Sequence, residues 1–292
     1  MKKLSVTTIA KTSVAKSLAA LALATSAGAS FAASTWDLVG LCTADSAGLV
    51  SACSGNTSGG GNLSAVTGHS TGAGTIAAPT AGTLFANAAV YEYSSGLGVV
   101  ATNESSGTTG PHSTDNLFGT DAFLFKFGTA INLNSLSIGF NGTDNPTGNY
   151  VDSDVSVLAW TGAGAPPVNG TTAGGLLAAG WKLIGNFTDV GASNGATAGG
   201  SASFSATNTN GSALYSSYWL ISAYDSNFGG GFTTANDSFK LLSLAGNTCT
   251  ASGGVVGNQC GGTKVPEPGS LALFGLGLVG LVASRRRKSA AV

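Results

Sequence analysis

Between residues 33 and 264 the sequence contains no arginine. Four lysines (Lys126, Lys182, Lys240 and Lys264) stand there against twelve Asp and Glu, a net charge of −8. A nucleic-acid partner needs a basic footprint to neutralise phosphate, and this stretch has the opposite sign, so no nucleic acid is expected as a partner. Charged residues of every kind make up 9% of the chain, so solubility must rest on hydroxyls and amides. Glutamate is also scarce, with Glu92 and Glu104 alone in this stretch, and no part of it carries a long 3.6-residue apolar period. A helical fold is therefore excluded. The two histidines, His69 and His112, lie among Gly, Ser and Thr and read as solvated loop residues. A Ser/His/Asp triad can be drawn through Ser70 or Ser113, but in a serine-rich chain that carries little information, and no catalytic residue is assigned.

What is present is β-rich. Short runs of β-branched and aromatic residues separated by turn clusters occur at 84–93, 122–127, 131–140, 155–160, 181–187, 202–206, 218–224 and 239–244. Phe123, Phe125 and Phe127 alternate with Leu124 and Lys126, which places three phenylalanines on one buried face. Asn141-Gly142 is a turn signal just past a strand. The expected fold is all-β, a β-sandwich of jelly-roll-like type, with its strand-rich core at about 84–244. Gly55–Asn62 and Ala192–Ser201 read as mobile surface loops, and the region up to about Gly82, poor in large apolar residues, is expected to pack weakly.

The four cysteines form two pairs, Cys42 with Cys53 and Cys249 with Cys260, each enclosing ten residues. Two local disulfides are the favoured connectivity, because short loops close easily in an oxidising compartment. A zinc site is the rival reading, although close C-x-x-C pairs are missing. An end-to-end pairing also stays open. Asp152 and Asp154, two residues apart in an extended segment, can converge on one side and hold calcium with Asn145, Asn149 or backbone carbonyls. The alternative is a solvated strand entrance, with no cofactor. Trp160, Trp181, Trp219, Tyr215, Tyr218 and Tyr224 can either stack on sugar rings or pack a core.

The ends carry the most specific patterns. Lys2, Lys3, Lys11 and Lys16 precede the apolar run Leu18–Ala29 and the small residues of Ser30-Phe31-Ala32. This reads as a secretory signal peptide spanning residues 1–32, cut before Ala33, with Ala27-Gly28-Ala29 as a second site. At the other end Pro266-Glu267-Pro268 opens an uncharged run to Ser284, followed by Arg285, Arg286, Arg287 and Lys288. As a helix that run spans roughly 25 Å, just short of a bilayer core of about 30 Å, and the cations mark its cytoplasmic side.

This three-part tail, 265–292, resembles the PEP-CTERM sorting signal of Gram-negative bacteria. The resemblance implies a transmembrane sorting helix, processing by exosortase, and an inner-membrane intermediate on the way to the cell surface or extracellular matrix. Residues 33–264 are then the exported domain. The expected function is that of a surface or biofilm-matrix protein without catalytic activity, associated with extracellular polysaccharide. A carbohydrate-binding module and a secreted hydrolase are the alternatives, and the ligand itself is not legible.

Overall fold

The computed structural model describes residues 31–72, 82–101, 113–116, 119–141, 153–191, 199–232, 237–251 and 254–261. In chain order these form β1 (Phe31–Asp37), β2 (Cys42–Ala44), β3 (Val50–Cys53), β4 (Leu63–Ser70), β5 (Ala86–Tyr93), β6 (Gly96–Val100), β7 (Thr114–Asp115) and β8 (Asp121–Asn141). Then come β9 (Val155–Trp160), helix α1 (Ala173–Ala179), β10 (Trp181–Phe187), β11 (Gly200–Ser203), β12 (Ser216–Ala223), β13 (Ser238–Cys249), β14 (Val255–Val256) and β15 (Gln259–Cys260). The all-β expectation is met. No helix among the described residues is long and apolar enough to cross a membrane, and the expected sorting helix lies outside them.

Eleven strands form one sheet in the order β1-β13-β6-β5-β4-β8-β12-β9-β10, with β7 on β13 and β11 on β8. A further pairing of β13 with β8 closes β13, β6, β5, β4 and β8 into a circuit, in which β6 meets β13 through Leu97 and Leu241. The long β8 makes this closure possible. Its first part pairs with β4 and β12, and its second part, from Ile131, pairs with β13 and β11. Gly128-Thr129-Ala130 lies between the two sets of partners, where the register with β12 jumps from Lys126 to Ile131.

Side-chain alternation assigns the faces. Phe123, Phe125 and Phe127 of β8, Val155, Val157 and Ala159 of β9, and Trp219, Ile221 and Ala223 of β12 enter the main core with Leu136, Ile138, Phe239 and Leu241. Full burial of each large side chain in this set stabilises the fold by about 1.5–3 kcal/mol. The intervening Ala122, Leu158, Trp160 and Leu220 form a second core with Phe85, Leu176 and Trp181. Helix α1 covers this second face. Thr172 caps its start by accepting from the Gly175 N–H, and Gly180, at φ 118°, ends it in the left-handed conformation.

The N-terminal region departs from expectation. β4 is an interior strand between β5 and β8. Trp36, Leu38 and Leu63 are fully buried in the main core. The segment Gly55–Asn62 is bound rather than loose: Thr35 exchanges backbone hydrogen bonds with Thr57 and Ser58, and the Trp36 Nε1–H donates to the Gly61 carbonyl at 2.8 Å. Its glycines serve close approach, since a Cβ on Gly61 (φ +78°) would lie 2.3 Å from Ile131 Cδ1. Of Ala192–Ser201, only the last three residues are described, and Gly200 and Ser201 already belong to β11. Asn141 ends β8, and its Gly142 partner lies outside the described residues.

Candidate functional site

His69 occupies β4, paired with Asn87 of β5 and Ala122 of β8. It is buried, not a solvated loop residue. Thr67 Oγ1 lies 3.0 Å from its Nε2, and Asn169 Oδ1 lies 2.7 Å from its Nδ1. A neutral imidazole protonated on Nδ1 satisfies both contacts, donating to Asn169 and accepting from Thr67. Asn169 in turn donates to Asn87 Oδ1 at 2.5 Å. Burial lowers the His69 pKa, and the Asn169 hydrogen bond only partly opposes it.

Cross-strand pairing extends this row through Ala122, Ser222 and Ser156 to Asn186. Ser222 is buried and its hydroxyl has no partner. Ala122 separates it from His69, so two strand spacings, about 10 Å, lie between them. The fold therefore does not bring this serine to the histidine. Ser70 alternates to the opposite face, where its Oγ accepts from the Gly72 N–H. His112 lies outside the described residues.

A second polar group surrounds the start of β9. Asp154 is buried, contrary to a solvated strand entrance. Its Oδ1 accepts from the Asp189 N–H at 2.9 Å, and its own N–H donates to Asp237 Oδ1 at 2.8 Å. Asn116 bridges Asp237 and the Tyr224 carbonyl, and Thr120 donates to Asp225 Oδ2. These carboxylates tie loop backbone together, a role that the sequence conceals because the partners are distant in the chain. Among the described residues no group of three or more His, Cys, Asp or Glu could hold a metal ion. Asp152 lies outside them, so the Asp152–Asp154 pair is not assembled here.

The aromatic residues pack the interior. Trp160, Trp181, Trp219, Tyr215 and Tyr224 are all buried, and Tyr218 is half-buried. Trp160 and Trp181 meet with ring centroids 5.6 Å apart. Their indole N–H groups donate to the Gly164 and Pro167 carbonyls. Burial pushes the Tyr215 hydroxyl up to about 12. Lys240, missed as a feature by sequence reading, is buried with its Nζ 4.2 Å from the Phe140 ring centroid and 4.6 Å from that of Tyr93.

The disulfides are Cys42–Cys53 and Cys249–Cys260, as expected, and no described cysteine is free. The first joins directly paired residues of the β2–β3 hairpin. The second fastens the β14–β15 hairpin to the end of β13. Asn258 reinforces it by accepting from the Tyr215 N–H and donating to the Tyr215 carbonyl, each at 2.8 Å. Phe31, at the start of β1, pairs with Cys249. The first and last parts of the described fold therefore meet at one pole.

The chain beyond this clasp carries Pro266, Glu267, Pro268 and the cations Arg285, Arg286, Arg287 and Lys288, all outside the described residues. Residues 264–288 match the PEP-CTERM protein-sorting motif. The motif implies export, processing by exosortase and targeting to the cell surface. Pro-Glu-Pro and the basic cluster both fall inside the match. No curated protein matches the chain.

Proposed function

We propose that the chain is a non-enzymatic component of the cell surface or of a polysaccharide-containing biofilm matrix. Its exported part would be a jelly-roll-like sandwich in which the long β8 pairs with β4 and β12 through its first part and with β13 and β11 through its second. The sorting motif carries this reading. The leader directs export, the apolar run after Pro268 holds the chain in the inner membrane as a helix, and exosortase releases the domain. Geometry supports a single membrane-facing pole. Cys249 is paired with Phe31 and bonded to Cys260. From Cys260 the motif begins at residue 264, a reach of at most about 14 Å in extended chain.

The lack of catalytic activity is supported by the separation of His69 from Ser222 and by the engagement of Asp154 in loop contacts. The burial of Trp160, Trp181 and Trp219 speaks against carbohydrate binding through those rings. Mass spectrometry of the surface form from the host should find no peptide containing Arg285–Lys288. Recovery of an intact C-terminus there would leave a simple membrane anchor. The exported protein should show no turnover of glycan, ester or peptide substrates; turnover abolished by His69→Gln would overturn the non-enzymatic reading.

A further inference from the structure

Two buried hydroxyls near the end of β12 have no partner. Ser222 and Tyr224 are fully enclosed, yet neither Ser222 Oγ nor Tyr224 Oη makes a hydrogen bond. A buried hydroxyl left unmade costs stability, so two of them so close in the chain call for a partner from outside it. Asn186 is the neighbour they share. Ser222 pairs across the sheet with Ser156, whose Oγ donates to Asn186 Oδ1 at 2.8 Å. The Asn186 amide and the Tyr224 hydroxyl both lie against Gly230: a Cβ there would sit 3.2 Å from Asn186 Nδ2 and 3.3 Å from Tyr224 Oη. Any side chain at this position would fill the space between them, and glycine leaves it open.

The cover over this cluster is a thin strap. Gly229, Gly230 and Gly231 are exposed, and the first two hold left-handed φ values of 83° and 101°. The strap starts from the buried Phe228. It is held down by the Asn186 Nδ2–H bond to the Gly229 carbonyl and by the Phe232 ring, 5.1 Å from that of Tyr224. Lifting it breaks that hydrogen bond and that ring contact. It uncovers the face and hydroxyl of Tyr224, the Asn186 amide and the hydroxyls of Ser156 and Ser222.

The chemistry of the cluster selects a class of ligand. Asp154, whose carbonyl accepts from the Tyr224 N–H, and Asp225, next in the chain, already accept from the Asp189 N–H and from Asn227 and Thr120. What remains is neutral: a phenol, two alcohols, an amide and a flat aromatic face. A neutral sugar supplies the matching hydroxyls and an apolar face to lie on the ring. A uronate would meet no cation in this set, within a stretch of net charge −8. We infer that a neutral hexose unit binds between Tyr224, Asn186 and Ser222 when the strap 229–231 lifts. The choice of a sugar rests on the proposed place of the chain in a polysaccharide matrix; the unpartnered cluster stands without it.

The test is calorimetric titration of the surface form purified from its host with trisaccharides of glucose, galactose and mannose, and with glucuronate as the charged control. At least one neutral trisaccharide should bind, and glucuronate should not. Tyr224→Phe and Ser222→Ala should each weaken that binding about tenfold, the loss of one hydrogen bond. Their urea midpoints should stay at or above wild type, since neither hydroxyl bonds anything in the folded chain. Silence with all three trisaccharides, unchanged affinity in both variants, or preference for glucuronate would overturn the inference. Loss of binding together with lowered urea midpoints would overturn it too, by giving the hydroxyls a structural role. None of these outcomes touches the sorting reading, which fails only on recovery of an intact C-terminus.

Discussion

Strands β8, β12 and β9 are buried on both faces, yet the two faces are built differently. One carries Phe123, Phe125, Trp219, Ile221, Val155 and Val157 and meets other strands of the same closed sheet. The other carries Ala122, Leu220 and Leu158, but also Ser222 and Ser156, with His69 of the neighbouring β4 beside Ala122, and it is covered by α1 and the segment before it. The contrast has a backbone cause. A covering strand satisfies its N–H and C=O groups along its own ladder and offers the opposite face only side chains. A covering loop brings carbonyls and amides that need partners. Here Trp160, Trp181 and Asn186 donate to the carbonyls of Gly164, Pro167 and Gly229, while Phe85 exchanges backbone bonds with Gly170 and Thr171.

The sharpest test of that contrast compares one large truncation on each face. Trp219→Ala should cost about 3–5 kcal/mol, because the ring is fully enclosed between strands that cannot collapse around the cavity. Leu176→Ala on α1 should cost about 2–3 kcal/mol, at the low end for a buried leucine, since a short helix can settle toward the sheet. Urea unfolding of both variants measures the difference. Equal losses would mean that the loop-covered face is as rigid as the strand-covered one.

The disulfides extend the comparison to chain ends. Removing either by double Cys→Ser substitution should cost about 2–3 kcal/mol from loop entropy alone. The Cys42–Cys53 loss should be the larger, because Cys53 is 2% exposed and belongs to the main core, whereas Cys249 and Cys260 are partly exposed. Thermal melts of the two variants, read against wild type, give the order; the reverse order would show that clasping the last hairpin matters more than filling the core.

Much of the sheet is legible in the residues. The apolar runs at 155–160 and 181–187 coincide with β9 and β10, and the Phe123–Phe125–Phe127 alternation names the core face of β8. β4 is not legible, because Leu63-Ser64-Ala65-Val66-Thr67-Gly68-His69-Ser70 lacks the bulky residues of a usual interior strand. Its smallness has a packing reason: a Cβ on Gly68 would come within 2.9 Å of the Ala88 carbonyl. Helix α1 is hidden by Gly174 and Gly175, which weaken its intrinsic propensity. The sorting motif is read from local sequence, whereas the His69–Asn169 and Asp154–Asp237 contacts depend on the fold bringing distant residues together.

The cap on α1 offers a smaller probe of the covering layer. Thr172→Ala removes the hydroxyl that accepts from the Gly175 N–H at 2.9 Å, and should cost about 1 kcal/mol. Thr172→Ser keeps an acceptor and should recover most of the loss in the same urea titration. If serine failed to restore stability, the methyl group of Thr172 rather than the cap would be responsible.

At neutral pH the least visible contribution is that of His69, and it appears as a slope. Burial lowers its pKa in the folded protein, so as pH falls the unfolded chain takes up the proton first, near pH 6.5. Stability from this residue is complete above that pH and declines as pH drops toward the folded pKa. Protonating Nε2 would reverse its hydrogen bond with Thr67, whose hydroxyl would have to turn and accept at 3.0 Å. His69→Gln, which remains neutral throughout, should flatten the dependence between about pH 6.5 and 5.5, above the range of ordinary carboxylates. Urea midpoints of both proteins at pH 7.5, 6.5 and 5.5 supply the measurement. Parallel curves would mean that the loop cover at Asn169 admits water to the imidazole, and that the polar row is less sealed than the strand-covered core.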